Sequence, residues 1–334
     1  MPTDIQSTFP VASDLAPIEP AKSVSPRVQE PIDPNNPRWG LGGAFLVWVA
    51  SIILLAVVPL FFLIPYSLQR GLDPGSPEYV HQLASLALTD KTAIFLQVLA
   101  LLPTHLLTFA LVWALVTRFG QRPFLASLGW GWSGRLRFWG SVGLGVTLFL
   151  AGTVIAKLLG ADQPTQMEQI INSSPGARYL IAALAVFTAP FVEEFIYRGV
   201  LFAALQKQIV RTILWLAENL GRERTVRLVA GARTVGVTGA VILVLGLFTL
   251  IHVPQYWPNF GVIAAVGMLS VSLTLIRAYT GRLLPCIVIH FVFNGITSIL
   301  LLIEPHLPKF GPATEHAPSA ILLIAKLWLS VFGL

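Results

Sequence analysis

Charge is scarce in this chain. Of 334 residues, 11% are charged and 55% are hydrophobic, against about one quarter charged in an ordinary soluble domain. That balance excludes a water-soluble globule and points to apolar segments bundled in a bilayer. Cysteine is nearly absent: the single Cys286 excludes an intrachain disulfide, and it lies in an apolar run with no evident base beside it. Neither GxSxG nor HExxH occurs, so serine, cysteine and ordinary zincin hydrolysis all lose ground. No apolar stretch falls in the first forty residues, so no signal peptide is expected. There is no internal repeat of the paired, broken kind that inverted-repeat transporters show. The formal charge of +6 does not imply nucleic acid. The basic residues fall between apolar runs, where they set membrane topology.

What is present begins with a polar tail. Residues 1–38 hold eight prolines and charges of both signs, too little apolar content for a core, and are expected to be a disordered cytoplasmic segment. Residues 39–334 read as one all-α polytopic membrane bundle of about eight transmembrane helices. The apolar runs lie at 42–65, 93–117, 138–159, 179–205, 238–257, 260–279, 283–303 and 318–334. The first seven are near the ~20 residues that a spanning helix needs. The eighth is short and carries Lys326. Arginines and lysines crowd the connections 118–137, 207–233 and 277–282, and the alternate connections are poorer in them. The positive-inside rule puts the basic set, and both termini, in the cytoplasm. The stretch 207–236 reads as a basic topology loop, with TILWLAENL as a candidate interfacial helix.

The chain has sixteen acidic residues, and only Glu193 and Glu194 sit inside a long apolar run, with Arg198 close behind. Ionisable groups there cost several kcal/mol and mark function by default. Glu194 and Arg198 stand one helical turn apart and can pair. Glu193 points elsewhere and needs another partner. Of the six histidines, His81, His306 and His316 fall in loops. His105 follows Pro103 and is read structurally, as a group that bonds a carbonyl the proline has freed. His252 closes Phe248-Thr249-Leu250-Ile251-His252. His290 opens His290-Phe291-Val292-Phe293-Asn294, which puts His290 and Asn294 on one helical face. Buried polar groups must find one another, so these three helices should share one polar cluster. Glutamate with histidine can hold and deprotonate a water; histidine with an asparagine amide can stabilise an oxyanion. Helix depth fits less well. Counted from the basic ends at ~1.5 Å per residue, His290 lies ~12 Å deep, whereas Glu193 and His252 lie ~21 Å deep.

In order, Glu193-Glu194-Phe195-Ile196-Tyr197-Arg198, Phe248 to His252 and His290 to Asn294 resemble the three motifs of the CPBP intramembrane protease family. That family includes type II CAAX prenyl endopeptidases and bacterial proteins linked to bacteriocin processing and self-immunity. The resemblance covers a protease-like core at about residues 120–300, and Tyr279 to Leu283 is similar to the turn before the family's third motif. It implies an intramembrane endopeptidase acting near the cytoplasmic side, in a bacterial plasma membrane, on a peptide or protein substrate that a CAAX-type enzyme would take prenylated. It further implies that Glu193 is the base, that His252 helps it hold the water, that His290 and Asn294 form the oxyanion side, and that Glu194 and Arg198 support the site. Glu193, His252, His290 and Asn294 could also hold zinc or another divalent ion, so the cofactor stays open. Two other readings stand beside this one: a catalytically idle membrane scaffold of the same family, and a proton-coupled transporter.

Overall fold

The computed structural model describes residues 32–134, 136–218 and 222–306. Among them there are helices and no strands. In chain order the helices are α1 Leu41–Val57, α2 Leu60–Gln69, α3 Tyr79–Thr89, α4 Lys91–Thr117, α5 Phe124–Ser127, α6 Phe138–Leu159, α7 Gln166–Ser173, α8 Pro175–Phe187, α9 Ala189–Glu194, a π-helical turn Phe195–Leu201, α10 Phe202–Glu218, α11 Arg222–Tyr256, α12 Phe260–Thr280 and α13 Leu284–Ile303. Seven stretches are long and apolar enough to cross a membrane. The expected eighth span at 318–334, and the expected disordered tail up to residue 31, lie outside the described residues. The seven match the first seven runs closely. Phe61, Leu106, Trp139 and Leu158 are all exposed, which in water would invite aggregation and in a bilayer is the lipid-facing surface. Glu194, Arg198, Arg277 and Ser270 are fully buried, so the polarity is on the inside.

Local sequence explains the helix ends. Asp90 accepts from the Thr92 and Ala93 amides at the start of α4. Thr165 and Glu168 form a reciprocal cap on α7, and Ser174 with Pro175 starts α8. Asp90 also accepts from the Tyr66 hydroxyl at 2.9 Å and faces Arg70 at 3.7 Å, tying α2 to α4. Its carboxyl is held below the ordinary value of 3.8, first by the Ala93 amide. A depressed carboxylate stabilises the fold above that ordinary value, and the contribution is lost as pH falls through the lowered one. Asp90→Ala is therefore expected to cost about 1 kcal/mol. Thermal unfolding in detergent at neutral pH reads this, and the gap from wild type should narrow in acid.

Two departures from the sequence reading matter for the site. The stretch 207–236 is not a loop with a separate interfacial helix. It is a helical hairpin: α10 runs on to Glu218 and α11 begins at Arg222, not at residue 238. Lys207 and residue 238 are therefore not helix ends, depths counted from them are not comparable, and the three motif helices do meet. The second departure is on the fourth span, which is not one straight helix. Pro190 lacks the amide that would continue α8, so the helix breaks at Thr188 (φ −120°, ψ −44°) and restarts as α9. It then widens into the π-helical turn that carries Arg198.

Close contacts fix the bundle. α6 packs on both α12 and α13. Gly261 of α12 is pressed so closely on the Ala156 carbonyl of α6 that a Cβ there would collide with it. At the basic end, Leu283 donates to the Gly129 carbonyl at 3.0 Å. Gly129 has φ +77° and would strike the Gly281 carbonyl with any side chain. The polar residues just before α1 are held at the same end. Arg277 donates to Asn35 Oδ1 and the Pro34 carbonyl, Lys207 to the Pro37 carbonyl, and Trp39 to the Val200 carbonyl.

Candidate active site

The motif residues gather at the middle of the bundle. Glu194 and Arg198, both 0% exposed, form an ion pair at 3.0 Å. The second guanidinium nitrogen donates to the Ser270 carbonyl and hydroxyl, each at 3.1 Å. Phe248 lies 4.6 Å beneath the same guanidinium, a cation–π contact that explains the aromatic at the head of the second motif. A charge taken out of water is tolerable only with such company.

Glu194 has a second task. The oxygen that pairs with Arg198 also meets His290 Nδ1 at 2.9 Å. A carboxylate accepts, so Nδ1–H donates and Nε2 is left facing the other way. There it lies 3.7 Å from Glu193 Oε2. The two adjacent glutamates thus divide the labour: Glu194 is sealed among protein groups, while Glu193 is 23% exposed and opens into a cavity. His252 is fixed by the same device, because its Nδ1–H donates to the Phe248 carbonyl at 2.7 Å. Its ring lies parallel to Tyr256, one turn on.

The cavity, of about 310 Å³, is lined by Glu193, His252, His290 and Asn294 together with Leu101, Val192, Ile251, Val266 and Phe293. It is large enough for water and a short stretch of peptide, and mostly apolar, which strengthens any charge interaction inside it. All four residues read from the sequence as catalytic therefore reach one space. Two details could not be read from spacing. Among the described residues no hydrogen bond joins His252 to Glu193; His290 is the histidine in near contact with it. The Asn294 amide donates to the Ala185 carbonyl at 2.9 Å, tying α13 to α8 and leaving one amide hydrogen uncommitted.

The sequence reading was wrong about His105. It does not bond a carbonyl freed by Pro103. Its Nδ1 meets Thr188 Oγ1 at 2.7 Å, at the break between α8 and α9, and the ring lines the same cavity. The one charged residue on α4 is Lys91, at its first position, so the sequence offered no signal beyond a histidine in an apolar run.

Among the described residues, no three histidine, cysteine, aspartate or glutamate side chains gather closely enough to hold a metal ion.

Compared with known proteins, residues 175–296 match the family model for type II CAAX prenyl endopeptidases, Rce1-like. No curated protein and no solved structure matches the chain. The matched stretch runs from the start of α8 into α13 and contains Glu193, Glu194, Arg198, His252, His290 and Asn294, while His105 lies before it. The buried polar centre of this all-α, multi-pass membrane bundle thus falls within the stretch that is similar to Rce1-like type II CAAX prenyl endopeptidases, a likeness consistent with the CPBP protease family.

Proposed function

We propose that the chain is an intramembrane endopeptidase that hydrolyses a peptide bond with water activated at Glu193. One observation carries the reading: a part-exposed carboxylate faces a histidine Nε2 across 3.7 Å at the wall of a mostly apolar cavity. Glu193 takes a proton from the water as it attacks the scissile carbonyl, and His252, which lines the same cavity, steadies that water. The oxyanion so formed is met by His290, when Nε2 carries a proton, and by the remaining Asn294 amide hydrogen. Collapse of the tetrahedral intermediate breaks the C–N bond, and Glu193 returns its proton to the leaving amine. Glu194 and Arg198 hold His290 in orientation.

The substrate of this reading is a peptide or protein with a CAAX-type, prenylated C-terminus. The orientation is that of the positive-inside rule, with the basic end cytoplasmic. Contacts among the segment before α1, Gly129, Lys207, Arg277 and Leu283 support a shared side for these connections. Neither an idle scaffold nor a proton carrier is favoured by any specific observation.

Purified chain in liposomes, offered fluorogenic CAAX peptides with and without a prenyl group, tests the reading. Cleavage is expected, with the prenylated peptides preferred, and it should persist in chelator. Activity lost in chelator and restored by zinc would assign the water to a metal instead. No cleavage of any peptide would overturn the proposal.

A further inference from the structure

Three imidazoles line the cavity, and all three are held in the same way. His252 Nδ1 is tied to the Phe248 carbonyl, His290 Nδ1 to Glu194, and His105 Nδ1 to Thr188 Oγ1. The direction of the third bond follows from its neighbour. Thr188 Oγ1 also lies 3.1 Å from the Leu184 carbonyl, which can only accept; with the hydroxyl hydrogen committed there, His105 Nδ1 donates to Thr188 Oγ1. The neutral ring then carries its lone pair on Nε2, which has no partner among the described residues. In a sequence this poor in polar groups, a cavity-lining side chain held at one ring nitrogen with the other left unpartnered is a ready acceptor, not a filler.

A peptide that enters this cavity exchanges water for apolar walls, and each main-chain N–H left without an acceptor is costly. Ser51, Thr104, Thr153 and Thr297 also line the cavity, each with its hydroxyl hydrogen given to a carbonyl of its own helix; their oxygens can accept, but an imidazole nitrogen is the stronger acceptor. Glu193 is engaged by the water. Resting on the endopeptidase reading above, we infer that His105 is a substrate-binding residue whose Nε2 accepts a hydrogen bond from a main-chain N–H of the bound peptide. It enters from α4, outside the matched domain, and so adds a wall that the three motifs lack.

The test is binding rather than turnover. A fluorescent CAAX peptide is titrated by anisotropy into the Glu193→Gln chain, with and without His105→Phe, together with peptides in which one amide after another is replaced by an ester. One hydrogen bond is worth about 0.5–1.5 kcal/mol, or roughly 2- to 13-fold in affinity. At one ester position binding to the His105 chain should weaken by about that factor, while the His105→Phe chain, already weaker by a similar factor, should not respond. His105→Gln, which keeps an acceptor, should restore part of the response. If His105→Phe weakened all peptides alike, or if every ester acted equally in both chains, His105 would be a packing residue and the inference would fail. It would fail too if no peptide bound. Binding that shows this coupling in a chain whose wild type cleaves nothing would retain His105 and overturn only the chemistry.

Discussion

Glu193→Gln is expected to abolish peptide cleavage and leave the fold intact. The substitution keeps the shape of the side chain and removes its basicity. Removal of a general base costs about 10²–10⁴ in rate, and the loss here should reach the upper end, because among the described residues Glu193 is the only carboxylate that lines the cavity. Stability should hardly change, since Glu193 is partly exposed and His290 Nε2 stands 3.7 Å away, beyond hydrogen-bond length. His252→Ala should be similarly severe, through loss of the group that positions the water. Asn294→Ala should be milder in rate, about 10²–10³ for one oxyanion donor. It should also soften the protein, because its amide links α13 to the Ala185 carbonyl of α8. Initial rates with melting curves taken in parallel separate the two effects. The ordering carries the argument: a base is indispensable to this mechanism, and one donor among several is not.

Arg198→Ala is expected to damage the fold as well as the activity. The guanidinium is 0% exposed and is held by Glu194, by Ser270 and by the face of Phe248. Breaking a buried pair from one side costs roughly 3–5 kcal/mol, since the remaining charge is left uncompensated. Here Glu194 would keep only His290, and a second Glu194 oxygen already has no hydrogen-bond partner among the described residues. The double replacement Arg198→Met with Glu194→Gln should recover part of the stability and little of the activity, because it removes the stranded charge but leaves His290 oriented only by a weaker, neutral amide oxygen. Yield and thermal unfolding in detergent read the first effect. An Arg198→Ala protein as stable as wild type would show that the pair contributes nothing to the fold.

Much of this was legible in the sequence because membrane segments announce themselves by composition. Long apolar runs bounded by arginines gave the helices, and a pair of glutamates inside one of them could only be functional or ruinous. The i, i+4 spacing of Glu194 and Arg198 gave their pairing, since that contact is local. Contacts between helices are a different matter. Nothing in Phe248 says that its ring will lie under Arg198, and nothing in Ser270 says that it will receive the same guanidinium. The bond from His105 to Thr188 spans eighty-three residues, and no periodicity reports it. The start of α11 was misread for a physical reason as well. Its first turns are basic and polar, so a reading by hydrophobicity begins only at the membrane, whereas the helix begins in the connection. The π-helical turn has no compositional signature and follows from packing around Arg198.

The measurement that bears most directly on the chemistry is a side-by-side comparison of Glu193→Gln and Glu194→Gln, by initial cleavage rate and by melting temperature, in one preparation. The division of labour seen here predicts that Glu193→Gln is inactive and melts like wild type, while Glu194→Gln melts lower and loses activity along with its stability. A Glu193→Gln chain that keeps near wild-type turnover, whatever becomes of Glu194→Gln, would contradict the assignment of Glu193 as the base.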